Sequence, residues 1–157
     1  MQWSEVLRDK SLRDLPYKIE LNEYGQIIMS PASNQHGFMQ VEIAFFLRTR
    51  QFGKVITECS IDTPKGVKVA DVVWGTPEFF KQQGLETPYS CAPELCVEIL
   101  SPSNSTAEML EKTALYLQQG AKEVWICKQN GQLEIFNHTG QILQSELFAQ
   151  TPTHFSF

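Results

Sequence analysis

A chain of 157 residues with 42% hydrophobic and 20% charged residues has the size and balance of one globular domain. It holds no apolar run near the ~18 residues of a membrane helix, and it does not begin with a basic stretch followed by an apolar one, so neither a membrane partner nor a signal peptide is expected and a cytoplasmic location is. The net charge of −5 excludes indiscriminate nucleic-acid binding by the whole surface, while leaving room for a local groove near Arg48, Arg50 and Lys54 or near Lys65 and Lys68.

In chain order, residues 1–16 read as an N-terminal helical segment, residues 17–147 as the core and residues 148–157 as a tail. Met1 to about Asp14 carries Trp3, Val6, Leu7 and Leu12 at amphipathic spacing, and Pro16 closes it. Tyr17–Leu21 and Gln26–Met29 flank Asn22-Glu23-Tyr24-Gly25, a hairpin signal. Ser33 or Asn34 caps a helix over about Gln35–Gln51, with Phe38, Val41, Phe45 and Phe46 as its expected buried face and Gly53 as its stop. Strands are expected at Lys54–Ser60 and Val67–Gly75, then a short helix from Thr76-Pro77-Glu78 to Gln83.

After a loop comes the strand Glu94–Leu100, broken by Ser101-Pro102-Ser103-Asn104. Ser105-Thr106-Ala107-Glu108 fits a capping box and opens a helix that ends near Gly120. Val124–Cys127 is apolar throughout, as for a strand covered on both faces. Asn130-Gly131 and Thr139-Gly140 mark turns around the strands Leu133–Asn137 and Ile142–Leu147. The order implies an α/β (α+β) fold, a mixed central sheet flanked by helices rather than a regular βαβ winding. Cysteines 59, 91, 96 and 127 show no zinc spacing and read as reduced, mostly buried side chains.

Chemistry concentrates in Val69–Lys112. Asp71 interrupts one apolar strand, Glu98 interrupts another, and Lys112 follows on the next helix. Carboxylates and a lysine inside buried structure are costly unless paired, hydrated or bound to metal. Two carboxylates suit Mg²⁺ or Mn²⁺, ions that keep waters and bind phosphates. The set reads as a metal-dependent phosphodiesterase centre, with Asp71, Glu98 and the Ile99 carbonyl as metal ligands and Lys112 orienting water or stabilising charge at phosphorus. Tyr116, four residues on, shares the face of Lys112.

These residues resemble the PD-(D/E)XK, restriction-endonuclease-like superfamily. More closely, Pro93-Glu94-Leu95-Cys96-Val97-Glu98-Ile99-Leu100-Ser101-Pro102-Ser103 resembles the signature of the Uma-two family. Lys112 with Tyr116, and Gly120-Ala121-Lys122-Glu123-Val124-Trp125, resemble it too, and the likeness runs from about Tyr17 to Glu146. Leu100 stands two positions after Glu98, so Lys112 takes the migrated lysine place of that family. Ala70 replaces the family's usual proline, and Glu108 stands where an aspartate is common.

The resemblance implies a Mg²⁺-dependent (or Mn²⁺-dependent) endonuclease acting on nucleic acid, DNA in the first instance, with Asp71, Glu98 and Lys112 catalytic. It adds Glu42 as an auxiliary acid from the long helix and His36 as a phosphate or water contact. Trp74 and Trp125 read as core, and His138 and His154 as structural. A homodimer through the C-terminal strands is an expectation. The rival reading is a non-catalytic binding or assembly module that keeps the fold, and a weaker third is a hydrolase of another phosphate ester.

Overall fold

The computed structural model describes residues 1–156; Phe157, the end of the expected tail, lies outside the described residues. The first half of the chain forms α1 (Trp3–Arg8), β1 (Tyr17–Leu21), β2 (Ile27–Pro31), α2 (Asn34–Arg50), β3 (Lys54–Thr63) and β4 (Gly66–Gly75). The second half forms α3 (Pro77–Gln83), β5 (Leu95–Ile99), α4 (Thr106–Gln118), β6 (Glu123–Cys127), β7 (Leu133–Asn137) and β8 (Gly140–Ile142). β1 and β2 make a separate antiparallel hairpin, and β3 to β8 form one sheet in sequence order. Within that sheet β5 and β6 run parallel and every other neighbouring pair is antiparallel. The parallel step needs a crossover, and α4 supplies it.

Helices cover both faces of the sheet. Met39, Ile43 and Leu47 of α2 pack with Val72, Trp74, Val97 and Trp125, and Phe148 and Phe155 complete that layer. Met109 and Tyr116 of α4 pack with Val73, Cys96 and Val124 on the opposite face. Side chains alternate along a strand, so Leu95, Val97 and Ile99 of β5 face α2 while Cys96 and Glu98 face α4. Every residue of β5 and of β6 is buried. Trp74 and Trp125 are core residues, as expected.

The structure corrects three expectations. The N-terminal helix stops at Arg8, because Asp9 turns extended and its carboxylate accepts the Ser11 amide to start a short 3₁₀ turn. On α2 the buried stripe is Met39, Ile43 and Leu47, whereas Val41 and Phe45 are 64% and 67% exposed. Two residues from Ile43 means about 200° around a helix, which points Val41 and Phe45 away from the sheet. The last strand ends at Ile142 instead of Leu147. Glu123 draws the Glu146 and Leu147 amides onto its own Oε1, so that segment folds over the sheet rather than extending it.

Candidate active site

The β4–β5 register sets Val72 opposite Val97 and brings Asp71 beside Glu98. Both carboxylates are essentially buried, at 0% and 1% exposure. Asp71 Oδ2 accepts the Ile99 amide at 2.7 Å, which fixes the carboxylate to the neighbouring strand. Its Oδ1 accepts the Lys18 ammonium at 2.9 Å and lies 3.1 Å from His36 Nε2. Glu98 Oε1 accepts the Tyr116 hydroxyl at 2.7 Å and Lys112 Nζ at 3.4 Å. Its Oε2 accepts Lys18 Nζ at 3.1 Å. The structure therefore gathers Asp71, Glu98, Lys112, His36 and Tyr116 at one point. Lys112 and Tyr116 share an α4 face as their spacing required.

Two members come from β1, where the sequence pattern gave only a hairpin. Lys18 bridges the two acids. Glu20 is buried at 7% exposure, accepts Lys112 Nζ at 2.8 Å and the Val69 amide at 2.7 Å, and so ties the lysine of α4 to β4. In Tyr17-Lys18-Ile19-Glu20-Leu21 the two charges alternate with apolar residues, the pattern of a strand with one wet face. That polar face turns inward over β4 instead. The signal was the pairing of opposite charges two residues apart.

From α2, His36 reaches Asp71 because Ser33 caps the helix and places the histidine on its first turn. Glu42, expected as the auxiliary acid, is exposed, and the cleft over the centre is lined from α2 by His36, Gly37 and Gln40 instead. Glu42 lies six residues after His36, about 600° or some 240° around the helix, which turns it from the site. Among the further acids lining the cleft, with Glu108 and Glu111 of α4, is Glu58 of β3, another residue the pattern did not mark. Its backbone has φ 52°, a left-handed conformation uncommon outside glycine. The β3–β4 pairing runs from Lys54 opposite Gly75 to Thr63 opposite Gly66 and skips the Glu58–Asp71 position. Gln40 Nε2 spans the break, donating to the Asp71 carbonyl at 2.8 Å and to Glu58 Oε1 at 2.7 Å. A backbone carbonyl that loses its ladder partner needs another donor, and Gln40 supplies it.

Charges in this small volume set one another's protonation. Burial opposes ionisation of Asp71, but Lys18 and the His36 hydrogen bond outweigh it and hold the carboxyl below its ordinary range. Burial dominates at Glu98 and raises it; Lys112 and Lys18 only partly offset that, and Asp71 adds like-charge repulsion. For Lys18, burial favours the neutral form, yet Glu98, Asp71 and Glu20 together keep the ammonium charged well above its usual range. The hydrogen bond to Asp71 raises His36 against the effect of burial. Burial, reinforced by Glu98, pushes the Tyr116 phenol well up, so it acts as a donor.

A cleft of about 610 Å³ opens over these groups, walled by the β1–β2 hairpin, the start of α2 and the Ser101–Asn104 turn. Metal chemistry can be judged from the donor set. Asp71 Oδ1 and Glu98 Oε2 converge on one cation, the Lys18 ammonium, which shows that two anionic oxygens share a cation position at the cleft floor. Among the described residues no three His, Cys, Asp or Glu side chains form a ready-made metal cage. Two carboxylates, Ile99 at the cleft wall and water match Mg²⁺ or Mn²⁺, which keep several waters, better than an ion that demands a full protein cage. The residues present fit the group.

A mixed sheet between helices, with two acids on adjacent strands and a lysine from the crossover helix, defines the restriction-endonuclease-like class. The family model Uma2, described as "Putative restriction endonuclease", matches residues 9–155, and the chain belongs to that family. A solved structure described as a "putative nuclease belonging to DUF820 from Anabaena variabilis" is similar in fold. It aligns with a TM-score of 0.70 at 16% identity, over 88% of this chain and 86% of that one. None of the curated proteins compared matches the chain.

Proposed function

We propose that the protein is a metal-dependent endonuclease that hydrolyses phosphodiesters of DNA at the Asp71–Glu98–Lys112 centre. The observation that carries this reading is the convergence of Asp71 Oδ1 and Glu98 Oε2, from adjacent strands, on a single cation position beside a lysine. The Uma2 membership and the nuclease neighbour support the substrate class.

Asp71 and Glu98, with the Ile99 carbonyl, would hold Mg²⁺ or Mn²⁺. Bound there, the ion supplies a lowered pKa for its water and charge neutralisation at a non-bridging phosphate oxygen. The chain's own groups do the rest. Tyr116 fixes the Glu98 rotamer, and the Ile99 amide with His36 fixes Asp71. Glu20 holds the Lys112 ammonium beside Glu98, where it orients the attacking water and stabilises negative charge at phosphorus.

The test is cleavage of supercoiled plasmid and of single-stranded DNA with Mg²⁺ or Mn²⁺ by wild type, Asp71→Ala, Glu98→Ala and Lys112→Ala. Cleavage that needs metal and is lost in all three variants supports the reading. Folded wild type that binds metal yet cuts neither substrate overturns it in favour of a non-catalytic module or of another phosphate ester.

A further inference from the structure

Among the described residues of this centre, Lys18 is the cation that bridges Asp71 and Glu98, and so the residue that competes most directly with an ion held by both. Its Nζ lies 2.9 Å from Asp71 Oδ1, 3.1 Å from Glu98 Oε2 and 4.0 Å from Glu20 Oε1. The other oxygen of each strand acid is already engaged, Asp71 Oδ2 by the Ile99 amide and Glu98 Oε1 by Tyr116 and Lys112. A divalent ion bridging the two acids would meet least competition from fixed donors at Asp71 Oδ1 and Glu98 Oε2, the two oxygens that the Lys18 ammonium occupies, with His36 Nε2 also 3.1 Å from Asp71 Oδ1.

We infer that Lys18 is an internal counter-ion that holds the cation position of the metal-free protein and is displaced into the cleft when a divalent cation binds. The inference rests on the metal-dependent reading of the site. Buried carboxylates this close together need a positive partner, and Lys18 provides one from outside the main sheet, on the β1–β2 hairpin. Exchange does not require the hairpin to move. A lysine stem has four rotatable carbons, the side chain is already 13% exposed, and the cleft it borders has about 610 Å³. Arginine would behave differently. Its guanidinium binds carboxylates in a fixed fork and keeps its charge, so it would be a more persistent occupant.

Calorimetric titration of Mn²⁺ into intact wild type, Lys18→Met and Lys18→Arg tests this, with thermal unfolding of each protein with and without Mn²⁺. The expected order of affinity is Lys18→Met above wild type above Lys18→Arg, with at least a tenfold gain for Lys18→Met. Mn²⁺ should also raise the melting temperature of Lys18→Met by more than that of wild type, because metal-free Lys18→Met lacks the partner of both acids. If Lys18→Met needs Mn²⁺ in order to fold, the wild-type and Lys18→Arg titrations still decide, with weaker binding by Lys18→Arg expected. Equal affinities in all three, with binding abolished by Asp71→Ala, would overturn the counter-ion role and leave the metal site standing. Absence of Mn²⁺ binding in wild type and Lys18→Met alike would overturn the metal site itself, and this inference with it.

Discussion

The molecule buries carboxylates in two quite different ways. Glu123, 2% exposed at the start of β6, has neutral donors as its partners among the described residues: Trp125 Nε1 at 2.9 Å, Ser145 Oγ at 2.7 Å, and the Glu146 and Leu147 amides at 2.6 and 3.2 Å. It makes no ion pair with a described lysine and does not line the cleft described above, and its bonds pin the 143–148 segment across the sheet. Asp71 and Glu98 are as deeply buried, yet beside the neutral Ile99 amide and Tyr116 hydroxyl their partners include the Lys18 and Lys112 ammonium groups, and they form the floor of an open cleft. Burial of an acid is therefore not what sets the proposed centre apart. The mark is a buried acid whose neutralising charge sits on a flexible side chain at the end of a solvent path.

That contrast can be broken by substitution. Glu123→Ala should have the largest effect on stability, at least about 3 kcal/mol, because several donors lose their acceptor at once; urea unfolding measures it, and Mn²⁺ affinity should not change. Asp71→Asn should reverse the pattern. Its amide oxygen can still accept the Ile99 N–H and Lys18 still has Glu98, so the stability cost should be about 1 kcal/mol, while Mn²⁺ affinity measured by calorimetry should fall on the order of 100-fold, about 2.7 kcal/mol.

Glu58→Gly should cost no stability and gain up to about 1 kcal/mol, because glycine relieves the left-handed backbone. Thr57→Gly, on ordinary extended backbone next to it, should lose roughly 0.5–1 kcal/mol in the same denaturation series. Equal losses at both positions would show that Glu58 is not strained.

The smallest effect concerns pH. His36 is raised above its ordinary 6.5 by Asp71. The stability it supplies is fully present below pH 6.5 and fades as pH rises through its raised folded value. The stability gap between wild type and His36→Gln, about 1 kcal/mol or less, should narrow over that interval in unfolding curves taken across the pH range.

How much of this was legible in the sequence follows from the range of each signal. Asp71 and Glu98 stood out because each interrupts a run that is otherwise apolar, and the capping box at Ser105 placed Lys112 on the helix that the structure confirms. Lys18 and Glu20 looked like the wet face of an ordinary hairpin, since alternation says which residues share a face but not whether that face is turned inward. Glu58 gave no signal, because a left-handed glutamate depends on the long-range contact from Gln40. The family resemblance suggests Glu42 as an auxiliary acid from the helix, yet helical rotation carries it to the surface. The strand expected to reach Leu147 ended early for a tertiary reason, the pull of Glu123 on the following amides.

The metal centre is tested most directly by calorimetric titration of Mn²⁺ into three proteins side by side: wild type, Glu98→Gln and Glu123→Gln. Wild type and Glu123→Gln should bind equally and Glu98→Gln not at all. Undiminished binding by Glu98→Gln, or no binding by folded wild type, would mean that Asp71 and Glu98 do not form a metal site.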